Sequence, residues 1–164
     1  MKLAVLPFNA AEGTSPALGR QLSNFASDTV RASGNVEINT VSLLTQVEQE
    51  GVQRVALVNI SEGLLEQNWI TDLFTQSGCD VAMDGLLKAV GDDSYELTVR
   101  FHLAGQEEPI FQETYNFGLD TIFPTLRKVI VEIAKQCEAK PDEGVDYATM
   151  DFGTDDPQVF LKFL

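Results

Sequence analysis

The sequence contains little cysteine and a single histidine. Its cysteines are Cys79 and Cys137, and its histidine is His102. No Cys-x-x-Cys pair is present, so the spacing typical of zinc and redox sites is missing. A disulfide between the two cysteines stays open, but two free thiols in a reducing cytosol are the simpler interpretation. A catalytic triad would have to use His102, and a site with several histidine ligands is impossible.

Basic residues are also scarce. The chain carries 11 Lys and Arg against 25 Asp and Glu, which gives a net charge of −14. Binding to nucleic acid depends on Lys and Arg replacing the counterions of phosphates, and an anionic membrane surface attracts the same residues. We therefore expect neither nucleic acid nor a membrane as a partner.

Long apolar runs are missing as well. The run LAVLPF after Met1-Lys2 is too short for the central part of a signal peptide. No stretch approaches the ~20 apolar residues that a membrane span requires. The sequence therefore predicts a cytoplasmic location.

The clearest pattern that is present is a strand pair in Gly78–Leu103. Its turn is predicted at Gly91–Ser94, because Gly tolerates positive φ and Asp side chains bond their own backbone. After the turn, apolar and polar residues alternate, as in a half-buried antiparallel strand. One face carries Tyr95, Leu97, Val99, Phe101 and Leu103, and the other carries Glu96, Thr98, Arg100 and His102. We interpret His102 as a surface residue of this strand.

The segments before this pair predict a parallel unit. Lys2–Phe8 is a short strand, Ser15-Pro16 begins a helix that ends at Gly34, and Val36–Ile38 is a second strand. Two strands separated by one helix favour a parallel βαβ arrangement.

The middle of the chain is less clear. Leu43, Leu44 and Val47 predict a helix that ends at Gly51. The segment Val55–Ile60 fits a strand or a helical continuation, and its β-branched residues favour the strand. A helix that begins at Ser61 and ends at Gly78 follows.

The segments after the pair complete a mixed sheet. Pro109–Phe117 predicts a third antiparallel strand, and Asp120 begins a helix with a buried stripe. That stripe consists of Phe123, Leu126, Ile130, Ile133 and Cys137. The predicted fold class is α/β (α+β): a mixed sheet with an N-terminal parallel βαβ part and a C-terminal antiparallel three-strand meander, with helices packed on it.

The end of the sequence has a different composition. Residues 138–154 are acidic, lack periodicity and predict a linker. Residues 155–164 begin a new helix, and its apolar stripe is formed by Val159, Phe160, Phe163 and Leu164. A stripe of this kind needs a partner, so these four residues are the predicted interaction site.

These motifs resemble those of a known family. The AVLPF strand, "GCDVAMDGLLKAVGDDSYELTVRFHL" and "YNFGLDTIFPTLRKVIVEIAK" resemble the TolB-like amino-terminal domain, which commonly precedes tetratricopeptide (TPR) repeats in bacterial proteins. The resemblance implies a TolB-like domain at 1–137, followed by the linker and the start of a TPR-like region. It supplies no catalytic, cofactor or metal residues.

Few residues suggest a chemical site. Asp80, Asp84 and Lys88 would form a polar row on one strand, which we interpret as a solvated or edge face. The loop Asn9–Ser15 has one glycine, whereas phosphate-binding loops need several. We therefore predict no enzyme, no metal and no cofactor.

Two functions remain as hypotheses. The first is a noncatalytic protein-interaction or assembly domain of a TPR protein, with its own repeats, a second copy or a partner peptide as its partner. The alternative is a small-molecule sensor with a pocket in the loops after the parallel strands, near Asn9–Ser15 and Asn39–Ser42.

Overall fold

A computed structural model describes residues 1–41, 44–57 and 63–164. In these ranges the elements in chain order are β1 (Leu3–Val5), β2 (Asn9–Ala10), α1 (Pro16–Ser33), β3 (Ile38–Thr40), β4 (Leu44–Gln49), β5 (Val52–Leu57), α2 (Gln67–Ser77), β6 (Val81–Gly91), β7 (Ser94–Leu103), β8 (Phe111–Gly118), α3 (Ile122–Gln136) and α4 (Pro157–Phe163). A single 3₁₀ turn, Leu119–Thr121, precedes α3. No helix within the described ranges is long and apolar enough to cross a membrane.

The sheet confirms the predicted fold class. Its strand order is β3-β1-β6-β7-β8, and the short β2 also pairs with β6. The β1–β3, β1–β6 and β2–β6 pairs are parallel, whereas β6, β7 and β8 form an antiparallel meander. Helix α1 lies in the chain between β1 and β3, which pair in parallel as the βαβ pattern predicts.

The main core lies between one face of the sheet and the helices α1 and α3. The predicted apolar faces of β7 and α3 both point into this core, because the strand repeats every two residues and the helix every 3.6. Its buried members include Leu3, Val5, Met83, Leu97, Val99 and Phe101 from the sheet and Leu22, Val30, Leu126, Ile130 and Ile133 from the helices.

A second, smaller core covers part of the opposite face. It contains Ala4 and Ala82 from the strands and Leu65, Ile70 and Leu73 from α2 and the segment before it. Because α2 packs here, β1 and the first half of β6 are buried on both faces. The second half of β6 is exposed from Lys88 onward, so this face is covered only at one end.

The predicted helix around Leu43, Leu44 and Val47 is wrong. The backbone of 44–49 forms β4, which pairs with β5 in a separate antiparallel hairpin. Glu50 and Gly51 have φ angles of 54° and 78° and join the two strands. Positive φ at both turn residues suits a two-residue hairpin, so Gly51 belongs to a turn and does not end a helix. The strand prediction for Val55–Ile60 is correct as far as Leu57, and the remainder lies outside the described residues.

The start of α2 differs from prediction, whereas the predicted end of α1 at Gly34 is confirmed. Helix α2 begins after Glu66, later than the predicted Ser61, which is outside the described residues. Gly34 follows α1 with a φ of −96°, and Asn35 next to it takes the left-handed conformation at 51°. Asn is one of the few residues other than Gly that adopt this conformation routinely. Asn35 Nδ2 donates to the carbonyl of Lys140 at 2.8 Å, which ties the end of α1 to the segment after α3.

The predicted acidic linker lies against α1 and α3. The amide of Lys140 donates to the carbonyl of Gly34 at 2.6 Å, and the buried Tyr147 hydroxyl lies 2.9 Å from Ser33 Oγ. Phe152 and Phe160, further along, pack against the main core. The division of the chain into domains at residue 137 stays a prediction.

Gly19 allows α1 to approach the chain at Phe8, and this contact can be tested. A Cβ atom at residue 19 would lie 2.6 Å from the Phe8 carbonyl oxygen. We expect Gly19→Ala to lower the free energy of unfolding by about 1–3 kcal/mol, although alanine is the better helix former. Arg20→Ala, at an exposed neighbouring position, should change it by less than about 0.5 kcal/mol. Denaturant unfolding measures both, and a stabilised Gly19→Ala would show that the close approach does not exist.

Candidate functional site

The strands β3 and β8 form the two edges of the sheet, and β8 is the longer, with eight residues against three. β7 pairs with one side of β8, and no strand of the described chain pairs with the other. The Leu119 amide donates to the Asp93 carbonyl at 2.9 Å, which fixes the register, so odd-numbered residues of β8 bond to β7. The N–H and C=O groups of Gln112, Thr114 and Asn116 therefore point away from β7, toward the free edge.

One end of this edge is closed. The amide of Gly118 also points away from β7, but it donates to Thr121 Oγ1 at 2.9 Å. The 3₁₀ turn that follows β8 thus satisfies the last edge-facing amide. The usable edge consists of Gln112, Thr114 and Asn116.

The side chains of these three residues share the open face of the sheet. All three are exposed and uncharged. The hydroxyl of Thr114 lies 3.0 Å from that of Thr98 on β7, so the face already contains one cross-strand hydroxyl pair. This surface can form hydrogen bonds without bringing a charge to the edge.

On the other face, β8 and α3 border a groove of about 640 Å³. Phe111, Glu113 and Tyr115 line it from β8, and Lys128, Val131 and Glu132 line it from α3. Burial, followed by the charges of Glu132 and Glu113, raises the pKa of Tyr115 to about 12. The phenol therefore keeps its proton at neutral pH and can donate a hydrogen bond.

The charges of the groove balance, in contrast to the rest of the chain. Glu113 and Glu132 are opposed by Arg127 and Lys128, whereas the whole chain has a net charge of −14. Arg127 is fixed, because its Nε donates to the Met150 carbonyl at 2.9 Å and its guanidinium lies 5.1 Å from the ring centre of Phe152. The surface beside β8 is thus one where an acidic chain can approach without strong repulsion.

A buried polar cluster occupies the covered end of the open face. Asp84 accepts hydrogen bonds from Arg100 at 3.0 and 2.5 Å and lies 2.8 Å from His102 Nε2. Arg100 also donates to the Leu65 carbonyl at 2.9 Å. Because these bonds join β6, β7 and the segment before α2, the cluster fixes how that segment covers the sheet.

The interpretation of His102 as a surface residue is wrong. Its side chain is fully buried, because α2 and its second core cover this end of the polar face. The residue still has no catalytic geometry: a general base must reach a substrate, and His102 contacts one carboxylate that Arg100 already pairs. Its Nδ1 atom has no partner among the described residues.

The predicted polar row of Asp80, Asp84 and Lys88 is not a single solvated face. Asp80 accepts from the Lys2 amide at 2.9 Å, Asp84 is buried, and Lys88 is exposed. Within the described ranges, no three His, Cys, Asp or Glu side chains group as ligands of a metal ion.

The four predicted interaction residues do not lie on one surface. Phe160 is buried, with its ring centre 5.0 Å from that of Phe25 and 5.2 Å from that of Phe123. Val159 and Phe163 are exposed, and Phe163 keeps 84% of its surface accessible. Leu164 is half-buried, and its carbonyl accepts from Gln21 Nε2 at 3.1 Å. As an interaction site, the set stays a prediction.

The contrast between Phe160 and Phe163 can be measured. Phe160→Ala leaves a cavity among aromatic rings, so we expect a loss of about 3 kcal/mol in the free energy of unfolding. The matched change Phe163→Ala, at the exposed position, should alter it by less than about 0.5 kcal/mol. Equal effects in denaturant unfolding would contradict the packing of α4.

The pKa of Asp84 generates a prediction about acid stability. Burial alone would raise this pKa, but the hydrogen bonds from His102 and Arg100 and their charges outweigh it and hold the pKa below the usual 3.8. A carboxyl with a lowered pKa stabilises the fold above its unfolded pKa, and this contribution is lost as the pH falls through the folded pKa.

We therefore expect Asp84→Asn to cost on the order of 3 kcal/mol at neutral pH, because Arg100 loses its buried counter-charge. The difference from the unmodified chain should shrink as the pH falls below 3.8. Denaturant unfolding at several pH values measures it, with Asp92→Asn in the exposed turn as the control. A difference that stays constant into the acid range would refute the assignment.

No family model matches the chain, and no curated protein matches it in sequence. Among solved structures it is similar to TolB from Acinetobacter baumannii, at 15% identity and a TM-score of 0.49, over 82% of this chain and 27% of that one. It is also similar to the lipoprotein GNA1162 from Neisseria meningitidis, at 10% identity and a TM-score of 0.46, over 82% and 94% of the two chains. The C-terminal domain of LpoB from Escherichia coli is also similar, at 12% identity and a TM-score of 0.46. The match covers 71% of this chain and 82% of the LpoB chain.

These likenesses concern the fold alone. They place TolB among the structural neighbours, as the sequence resemblance suggested, while the TPR context stays a prediction. The predicted cytoplasmic location is contradicted, since the neighbours include a protein described as a lipoprotein.

Proposed function

We propose that this chain is a noncatalytic protein-interaction domain, and that it binds an extended protein segment along the free edge of β8. One observation carries the proposal: at the edge of an eight-residue strand, the backbone groups of Gln112, Thr114 and Asn116 have no partner within the described part of the chain. Addition of a strand to an exposed sheet edge is a common mode of peptide recognition, in which backbone hydrogen bonds supply much of the affinity.

The groove beside β8 supports this mode. A bound strand sends alternate side chains to opposite faces. One set would lie over Phe111, Tyr115 and Val131, where apolar surface is available, and the other over Thr114 and its polar neighbours. Edge strands often carry proline or lysine, which prevents unspecific pairing with other chains. β8 carries neither, which is consistent with an edge that pairs with a specific partner.

The noncatalytic part of the proposal rests on the buried cluster. Asp84 and His102 are the titratable side chains that lie deepest in the sheet, and both are committed to Arg100 or to each other. Their contacts join secondary-structure elements, which is a structural role.

The wider context predicted from the sequence is part of the proposal. Helix α4, the start of the predicted TPR-like region, exposes Val159 and Phe163, and these two side chains suit docking of a further helix, such as the next helix of a TPR array. No observation favours the small-molecule alternative. Its first loop is closed onto β6, because Ala11 donates to the Leu87 carbonyl and Thr14 Oγ1 accepts from the Ala89 amide, at 2.9 and 2.8 Å.

A peptide titration tests strand addition. The probes are capped peptides of about eight residues that alternate valine or phenylalanine with threonine, the pattern of a half-buried strand. We expect them to shift the amide NMR signals of Gln112, Thr114 and Asn116 saturably, and those of β3 much less. Two methylated versions of each peptide are compared, one with N-methyl groups on the odd-numbered amides and one with them on the even-numbered amides. Because only one set of amides faces β8, one version should lose the effect and the other should keep it.

Two outcomes would refute the proposed function. Peptides that never perturb the three amides at millimolar concentration, under conditions where the chain is monomeric, would show that the edge does not accept a strand. Equal binding of the two N-methylated versions of a peptide would show that the peptide contacts the protein without backbone pairing.

A further inference from the structure

We propose that the strand which pairs with β8 is β8 of a second copy of this chain, in antiparallel orientation about a twofold axis at Thr114. This inference rests on the proposed function and deepens it by naming the partner. It follows from which backbone groups are free, which side chains would then face each other, and where charge is absent.

The free backbone groups restrict the register. Pairing across the edge requires even-numbered residues of β8 to oppose even-numbered residues of the second copy. A twofold axis at Tyr115 would use Gly118, whose amide is already bonded to Thr121 Oγ1. An axis at Glu113 would place that carboxylate directly against its own copy, which is destabilising. An axis at Thr114 avoids both problems.

In this register the side chains are complementary. On the open face, Thr114 meets its own copy, and Gln112 meets Asn116 of the second copy. The Thr98–Thr114 hydroxyl pair, 3.0 Å long, would continue into a row of four threonines across the axis. Cross-strand threonine pairs stabilise sheets in this way.

On the groove face, Glu113 meets Tyr115 of the second copy. The phenol keeps its proton at neutral pH, because the pKa of Tyr115 is raised to about 12. It can therefore donate to the carboxylate, and a hydrogen bond to a charged acceptor is stronger than one between neutral groups. Each dimer would contain this pair twice, since a twofold contact repeats every interaction.

The distribution of charge favours this surface over others for self-association. Two chains of net charge −14 repel each other at most orientations. β8 carries Glu113 as its single charged side chain, and the groove balances two acids with Arg127 and Lys128. Contact at β8 thus brings together a part of each copy where acidic and basic side chains balance.

Charge exchange at Thr114 tests the axis. The residue is exposed, so Thr114→Glu and Thr114→Lys should both fold. We expect the unmodified chain to dimerise in sedimentation equilibrium, and each variant alone to dimerise at least tenfold more weakly, because like charges meet at the axis. An equimolar mixture should recover dimers as heterodimers. Gln106→Glu and Gln106→Lys, in the exposed β7–β8 turn, are the matched controls and should leave dimerisation unchanged.

Disulfide trapping tests the register. Opposed residues in a hydrogen-bonded pair have Cα atoms about 5.5 Å apart, within the range for a disulfide. Thr114→Cys should therefore cross-link with itself, and Gln112→Cys should cross-link with Asn116→Cys in a mixture. Gln112→Cys alone should not, since its copies would lie about 13 Å apart along the strand. The native Cys79 and Cys137 are buried and serve as the unreactive background.

The outcomes separate this inference from the proposed function. A chain that is monomeric at about 100 μM, a dimer insensitive to Thr114→Glu, or variants that do not recover on mixing would each overturn the second-copy proposal. If the peptides still bind the edge, the proposed function stands without it. If neither peptide nor second copy binds, both fall.

Discussion

The alternation of residues along β6, β7 and β8 determines both the faces and the edge of this protein. Odd-numbered residues of β7 point into the main core, and even-numbered residues point to the opposite face. In β8 the same parity decides which backbone groups bond to β7 and which stay at the edge. A one-residue shift in strand register would move the core side chains to the surface. It would also turn the backbone groups that bond to β7 toward the free edge. The structure therefore ties the identity of the free edge to the packing of the core.

The polar face of the meander performs two tasks. At one end, Asp84 and His102 are buried and Arg100 is partly buried beneath α2, where their bonds compensate for the loss of water. At the other end, Thr98 and Thr114 remain accessible. The covered end stabilises the attachment of α2, and the open end is available to a partner. This division explains why the polar residues of one strand differ so much in exposure.

The sequence was sufficient for features that depend on local pattern. The alternation from Tyr95 to Leu103 predicts β7, and the spacing of Phe123, Leu126, Ile130 and Ile133 predicts the buried face of α3. It failed where a distant element decides the outcome. His102 is buried because α2 crosses that part of the sheet, and nothing in the alternation of β7 indicates such a cover. Leu44 and Val47 fit helical spacing as well as a strand, and the Glu50-Gly51 turn was the signal that distinguishes them.

The candidate site was hidden for the same reason. The strand at Phe111–Gly118 could be predicted, but its free edge depends on the strand order, in which β1 lies between β3 and β6 and no strand of the described residues pairs with the outer side of β8. Residue-resolved amide hydrogen exchange at low and high protein concentration tests the account most directly. It predicts that Glu113 and Tyr115 are protected at both concentrations, whereas Gln112, Thr114 and Asn116 become protected only at the high one. Protection of all five amides in dilute solution would contradict the account, because the edge would then already be paired within the chain.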